Sequence, residues 1–407
     1  MNVLSKIEAA APAAAMEAPA ERMRRVAAVA AENGDAVDRE GRFPAETIEA
    51  LKRERLLGVA IPAEYGGEGL GTAAVADLIA QLAQACGSSA MIYAMHQIKT
   101  SSFVMHGIGS EWHRAYMRRI AAEQLLMASA TTEAGIGGNL RNSICAIEVE
   151  AGRFKLVKEA IVISYGNYAD AILATARRAP DAASSDQIMV VIPNDANRTI
   201  DRTVVWDTLG MRGTCSDGFH LEAAGNAAQI FPKPFSEIAA QSMLASSHIY
   251  WAATWFGIAA DAFNRAQAFV KAAARKQTDG TLPPGALRLA EAAAKLQEMK
   301  GHLMAAIHRF DAAQFDAARG DDDALSSIGF AAEINALKIA ASEKAGEVVR
   351  IALLVNGILG YKNGTPFSVG RHLRDTASAP VMISNDRILS NTATLLLMSR
   401  FDTSLGG

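Results

Sequence analysis

The apolar residues of this 407-residue chain change their period twice, and that order removes most architectures from consideration. From about Pro19 to Met127 they recur at steps of three and four, in ERMRRVAAVAAENGDAVDREG, AETIEALKRERLLG, AAVADLIAQLAQACGSS and EWHRAYMRRIAAEQ, as amphipathic helices require. From Ala128 to about Phe231 the step becomes two. FKLVKEAIVISY, DAILATARR, QIMVVIPN and GFHLEA alternate or run apolar, with Gly, Asn and Asp clusters between them. After Pro234 helical stretches return, from Ser236 to Lys276, Gly285 to Gly320, about Ala324 to Asn356 and about Asp386 to Phe401. Helices of such length pack most simply as an antiparallel bundle. Strands and helices do not alternate, and no GxGxxG follows a strand, which argues against a dinucleotide-binding parallel sheet.

The expected fold class is therefore α+β, mostly α. It comprises a mobile leader (1–20), an N-terminal helical domain (21–127), a middle β-domain (128–236) and a C-terminal helical bundle (237–407). A net charge of −3 leaves no electrostatic footprint for nucleic acid. Cys86, Cys145 and Cys215 are widely spaced, which suits a reducing, cytoplasmic compartment and offers neither a disulfide framework nor a metal site. No uncharged apolar run approaches the roughly 20 residues of a membrane span. The first 20 residues carry Glu8 and Glu17 and lack the basic start of a signal peptide. The run Asp321-Asp322-Asp323 reads as a turn and helix cap, with too few ligands for a hard cation.

Five motifs follow in order. FPAETIEALKRERLLGVAIPAEYGGEGLG (Phe43 to Gly71) reads as a helix, an extended IP entry and a glycine turn; ASATTEAGIGGN (Ala128 to Asn139) reads as a glycine-rich loop. IVISYGNYADAILATAR (Ile161 to Arg177) and WDTLGMRGTCSDGFHL (Trp206 to Leu221) read as strands and a turn, and LLVNGILGY precedes RDTASAPVMISND (Arg374 to Asp386). Together, over roughly Phe43 to Phe401, they resemble the acyl-CoA dehydrogenase family.

The resemblance implies a β-barrel-like middle domain and a C-terminal four-helix bundle, in an FAD flavoprotein built as a homo-oligomer, a tetramer or dimer, because the family's flavin site crosses an interface. Carried onto this chain, it places the cofactor against Thr131, Thr132, Gly137, Gly138, Val162, Ser164, Arg275 and Gly357, with Arg212 and Ser247 toward the substrate. Three positions depart from the family. Gly138 replaces a phosphate-contacting serine, Val162 replaces a tryptophan packed on the flavin, and Ser164 keeps a hydroxyl where the family has threonine.

The largest departure concerns the reaction. In the family a loop glutamate takes the α-proton of a thioester while flavin takes the β-hydride; that position falls here on Ile383. Relatives that move the base to the first bundle helix correspond near Ser247 and His248. His248 and Asp386 are thus the candidate bases, with two plainer readings beside them: a hydrogen-bonded core histidine and a helix cap. Glu133 reads as structural. Met95, His96, Met105 and His106 line either an acyl pocket or a core face, and Arg371, His372 and Arg374 serve either phosphates or ion pairs. The leading expectation is oxidation of the CH–CH bond of an acyl-CoA or acyl-carrier-protein thioester with a non-standard base. Electrons would pass to an acceptor flavoprotein or oxygen. The alternatives are a flavin-dependent monooxygenase, which needs no such base, and a non-catalytic flavin-fold partner protein.

Overall fold

A computed structural model describes residues 17–135, 139–277, 281–321 and 323–398. Most of the expected leader, together with Gly137, Gly138 and Asp322, lies outside the described residues. Five helices open the chain: α1 (Pro19–Glu40), α2 (Ala45–Arg53), α3 (Thr72–Ala85), α4 (Gly87–His106) and α5 (Glu111–Glu123). Pro19 stands at the first position of α1, where its missing N–H costs nothing, so the helix begins inside the stretch expected as leader. Gly41 ends α1 in the left-handed region (φ 61), and the Ser110 side chain caps α5 by accepting from the His113 N–H. Helix α4 is buried on nearly every side, so its polar residues need internal partners. His96 meets Leu57 O at 2.8 Å and accepts from the Met127 N–H at 3.1 Å, while Gln97 donates to the carbonyls of Leu56 and Leu57. His96 is thus a core residue.

Seven strands form two sheets. Strands β1 (Met127–Ala130), β4 (Ala171–Arg177) and β5 (Gln187–Pro193) make one; β2 (Ile147–Glu150), β3 (Arg153–Ile163), β7 (Asp217–Asn226) and β6 (Arg198–Val204) make the other. The alternating burial of β3 from Arg153 to Ile161 shows a sheet with one wet face. Strands β4 and β5 are buried along almost their whole length because both their faces are covered. Ile172, Ala174, Val190 and Ile192 share a core with Phe154, Leu156, Phe219 and Leu221 of the second sheet, whereas Leu173, Met189 and Val191 pack with Phe103, Tyr116 and Ile120 of α4 and α5.

The chain then re-enters helix through α6 (Phe235–Ile238), a π-helical turn (Ala239–Met243) and α7 (Leu244–Ala274). Ser242 of the wide turn lies 3.1 Å from His106 Nε2 on α4. Helices α8 (Ala286–Ala317), α9 (Asp323–Ser326), α10 (Ile328–Tyr361), α11 (Gly370–Ala377) and α12 (Asn385–Met398) complete the C-terminal half, with α7, α8 and α10 its long members. Helix α10 is interrupted at Gly357, whose φ of 56 and ψ of −138 fall where side-chain-bearing residues are strained. No helix among the described residues is long and apolar enough to cross a membrane.

Candidate functional site

The sheet end of the site is a row of hydroxyls. Strand β1 runs into Thr131 and Thr132, and Thr132 Oγ1 donates to Val162 O at 3.2 Å, joining that loop to the end of β3. Just beyond, Ser164 accepts from Ser216 at 2.8 Å, Ser216 and Thr214 are 2.8 Å apart, and Thr214 Oγ1 donates to Met211 O at 2.9 Å. Beneath the loop, Glu133 is an anchor. Its carboxylate pairs with the fully buried Lys158 and accepts from Ser143 at 2.8 Å, Cys145 at 2.7 Å and the Ile144 N–H at 2.6 Å. Burial alone would raise the Glu133 carboxyl, but hydrogen bonds from Cys145 and Lys158 with the Lys158 charge hold it down to about 2. The half-buried hydroxyls of Thr132 and Ser164, beside Gly135 at φ 90, fit the polar edge of a flavin.

The bundle end is organised by α10. His248 of α7 is 1% exposed; its Nδ1 lies 3.1 Å from Ile334 O, and burial pushes its imidazole down to about 4. His248 Nε2 has no partner among the described residues; neither do Trp251 Nε1 and Trp255 Nε1, three and seven residues further along α7. One turn past Ile334, Lys338 donates to Ile383 O at 2.8 Å. Helix α10 therefore brings together His248 and Ile383, the two positions at which the family's base was expected. Ser247 is also buried on α7. Asp386 is exposed in the first turn of α12, where a carboxylate complements the helix dipole, and it does not turn inward; the helix begins with the buried Asn385.

The two ends are locked together by α11. Asp375 Oδ1 accepts from the Met211 N–H at 2.7 Å, and a Cβ on Gly210 would sit 2.1 Å from Arg374 O, so only glycine allows that approach. Burial raises the Asp375 carboxyl to about 6. Arg212 belongs to the same seam: it donates to Asp38 O at 2.8 Å and Thr208 O at 2.8 Å. Within the basic cluster Arg371 pairs with Asp35 and Arg374 with Asp38, while His372, whose imidazole burial pushes down, lies 2.7 Å from the Asp261 carboxylate. Arg275 is exposed at the C-terminal end of α7, and Gly357 lies about five turns along α10 from Lys338, so neither joins this grouping within one chain. Thr214, Ser216 and Lys338 are not among the site residues expected from sequence, although Thr214 and Ser216 stand inside the WDTLGMRGTCSDGFHL motif and Lys338 is a lone charge in the apolar run INALKIAA.

Comparison with known proteins agrees with this geometry. Residues 15–124 match the acyl-CoA dehydrogenase N-terminal domain and residues 238–384 the acyl-CoA dehydrogenase C-terminal domain. Probable acyl-CoA dehydrogenase FadE25 of Mycobacterium tuberculosis is 26% identical over 360 residues, 86% of this chain and 87% of its own. L-evernosamine nitrososynthase of a Micromonospora species is 30% identical over 198 residues, 47% of this chain and 44% of its own. The chain spans about half the length of several curated relatives it matches. Among solved structures, methanesulfinate monooxygenase MsuC from Pseudomonas fluorescens superposes with a TM-score of 0.80 at 18% identity, covering 95% of this chain and 98% of that one, which shows a shared fold. With two domain matches flanking the sheet region, the chain belongs to the acyl-CoA dehydrogenase family, a fold of flavin-dependent oxidoreductases.

Proposed function

We propose that this family member is a flavin-dependent monooxygenase. The observation that carries the reading is the lack of an inward-facing carboxylate at either base position among the described residues: Ile383 stands in the loop, Ser247 and His248 on α7, and Asp386 is exposed. Removal of an α-proton needs such a group, whereas oxygen transfer does not. A reduced flavin would supply two electrons to dioxygen, so that one oxygen atom enters the substrate and the other leaves as water with two protons. The similarity to a nitrososynthase and the fold shared with a sulfinate monooxygenase support this direction.

In this reading Thr131, Thr132, Gly137, Gly138, Val162 and Ser164 hold the flavin, FAD by family likeness. Arg275 and Gly357 contribute across a homo-oligomer interface. Leu354 before the break in α10, and Ile358 and Tyr361 after it, are exposed apolar side chains that favour such assembly. Ser247 borders the substrate, and Arg212 holds the seam. Three free cysteines suit a cytoplasmic setting.

One feature favours a second reading, dehydrogenation of an acyl thioester. His248 Nε2 is buried without a partner on a neutral imidazole and so is able to accept a proton. Anaerobic addition of acyl-CoA and acyl-carrier-protein thioesters to the flavin-loaded protein separates the two. The oxygenase reading expects the oxidised flavin band to persist, and bleaching by any thioester would transfer the assignment to the second.

A further inference from the structure

Lys338 is fully buried on α10 among Ile334, Leu337 and Ala341, where an ammonium ordinarily needs a carboxylate. It has no ion pair among the described residues. Its Nζ donates instead to three oxygens of one short segment, Ala379 O at 3.0 Å, Ile383 O at 2.8 Å and Asn385 Oδ1 at 2.6 Å. Three acceptors match the three hydrogens of an ammonium; a neutral amine offers two. The segment they hold joins α11 to α12 and contains Ile383 at φ 52, a left-handed conformation that a β-branched residue resists. Asn385 is fixed from its other side, donating to Ser342 Oγ at 3.1 Å, and the Trp255 ring lies 5.7 Å from the Lys338 ammonium.

We propose that Lys338 is a positioning residue whose ammonium, using all three hydrogens, clamps the 379–385 segment to α10 and thereby holds Ile383 in its strained conformation at the site. The functional part of this inference rests on the reading that the segment borders the flavin and substrate. Loss of one proton removes one of the three bonds and frees Ile383 to relax. Burial lowers Lys338 from its ordinary 10.5 to about 8, against the opposing charge of Glu343. The titratable groups that face it are Glu343 on α10, which also accepts from Asn385 at 3.5 Å, and His248 on α7, already neutral at that pH; the segment's own neighbour Asp386 is exposed. The sign is informative. Because the folded protein releases this proton more readily than the unfolded chain, the proton's loss does not lower global stability between about 8 and 10.5. The clamp loosens while the protein as a whole does not, a separation that a merely structural lysine would not produce.

The test uses purified, flavin-loaded full-length protein without substrate. Amide hydrogen exchange of the 378–385 peptide, corrected for intrinsic pH dependence, is followed between about pH 7 and about pH 9.5 beside the flavin absorbance spectrum and the thermal midpoint. The parent is expected to show exchange rising about tenfold with a midpoint near 8, the size that loss of one charge-assisted hydrogen bond implies, with no fall in thermal midpoint over that range. Lys338→Met should exchange fast at every pH without a midpoint, and Lys338→Arg should remain protected at the high end. If Lys338→Met does not fold, Asn385→Ala, which removes one acceptor, should raise exchange in the same segment. A parent without a midpoint, or a Met variant exchanging as slowly as the parent, overturns the clamp. Exchange that follows the clamp while the flavin spectrum ignores it upholds the clamp and overturns the placement of this segment at the flavin.

Discussion

Glu133→Gln tests how the sheet end of the site is built. In the parent, one buried carboxylate satisfies Lys158, Ser143, Cys145 and the Ile144 N–H. Glutamine keeps the shape but removes the charge, and its amide nitrogen turns a donor toward groups that are themselves donors. Lys158 is then left charged, wholly buried and without a counter-ion. Breaking one partner of a buried pair costs about 3–5 kcal/mol, whereas replacing both partners by apolar residues is often neutral. Equilibrium denaturant unfolding should therefore place Glu133→Gln about 3–5 kcal/mol below the parent and the double variant Glu133→Met/Lys158→Met close to it. The pH dependence has a definite sign. With Glu133 held down to about 2 against an ordinary 4.5, its contribution is complete above about 4.5 and is lost as pH falls through about 2, so the gap between parent and Gln variant closes in acid. Because Thr131 and Thr132 directly precede Glu133, flavin affinity should fall with stability. A Gln variant within about 1 kcal/mol of the parent near neutral pH would refute the reasoning.

Three further outcomes follow from the seam and the bundle. Asp375→Asn keeps an oxygen for the Met211 N–H but removes a charge whose folded value is raised to about 6; the parent's penalty grows as pH rises through that value, so the variant should be about 2–3 kcal/mol more stable near pH 8 and no more stable below about 4, as unfolding at the two pH values will show. Gly210→Ala places a methyl 2.1 Å from Arg374 O and should cost at least about 2 kcal/mol while exposing α11 to limited proteolysis; an Ala variant as resistant as the parent would mean the seam is loose. His248, down to about 4, is neutral through the physiological range, so it should contribute no break to the pH–activity profile near 6.5; a break there that disappears in His248→Asn would contradict its burial.

The architecture was legible because its cause is local. Helical and strand periods survive in sequence wherever one face meets the core, as in α1 and β3. Strands β2 and β6 were harder to see: β2 has four residues and β6 is largely exposed, so neither leaves an apolar stripe. Helix α10 extends beyond the expected Asn356 because the chain resumes helical geometry after Gly357, and the continuation carries Ile358 and Tyr361 outward, so no core-facing stripe announces it. For the candidate site, the motif order pointed to Ser164 and Ile383, since each sits inside a recognisable local pattern. What escaped depends on contacts across the chain. Lys338 reaches a segment 41 to 47 residues away, and Met211 meets Asp375 across 164 residues. Arg212 reads as a substrate ligand in its local motif, while the contacts of its Nε and Nη1 with Asp38 O and Thr208 O in the seam are long-range or outside that motif's pattern. Asp386 seemed able to reach the pocket from its nearness to Ile383; helical geometry from Asn385 onward turns it to solvent.

The central claim, that this flavin fold transfers oxygen without an α-proton base, is tested most directly with isotopically labelled dioxygen. Reduced, flavin-loaded protein is mixed with labelled oxygen and a panel of amine, thioether and sulfinate compounds, and the products are weighed by mass spectrometry. The account predicts a product carrying one labelled oxygen atom. It is contradicted if no product carries label while an acyl thioester bleaches the oxidised flavin anaerobically.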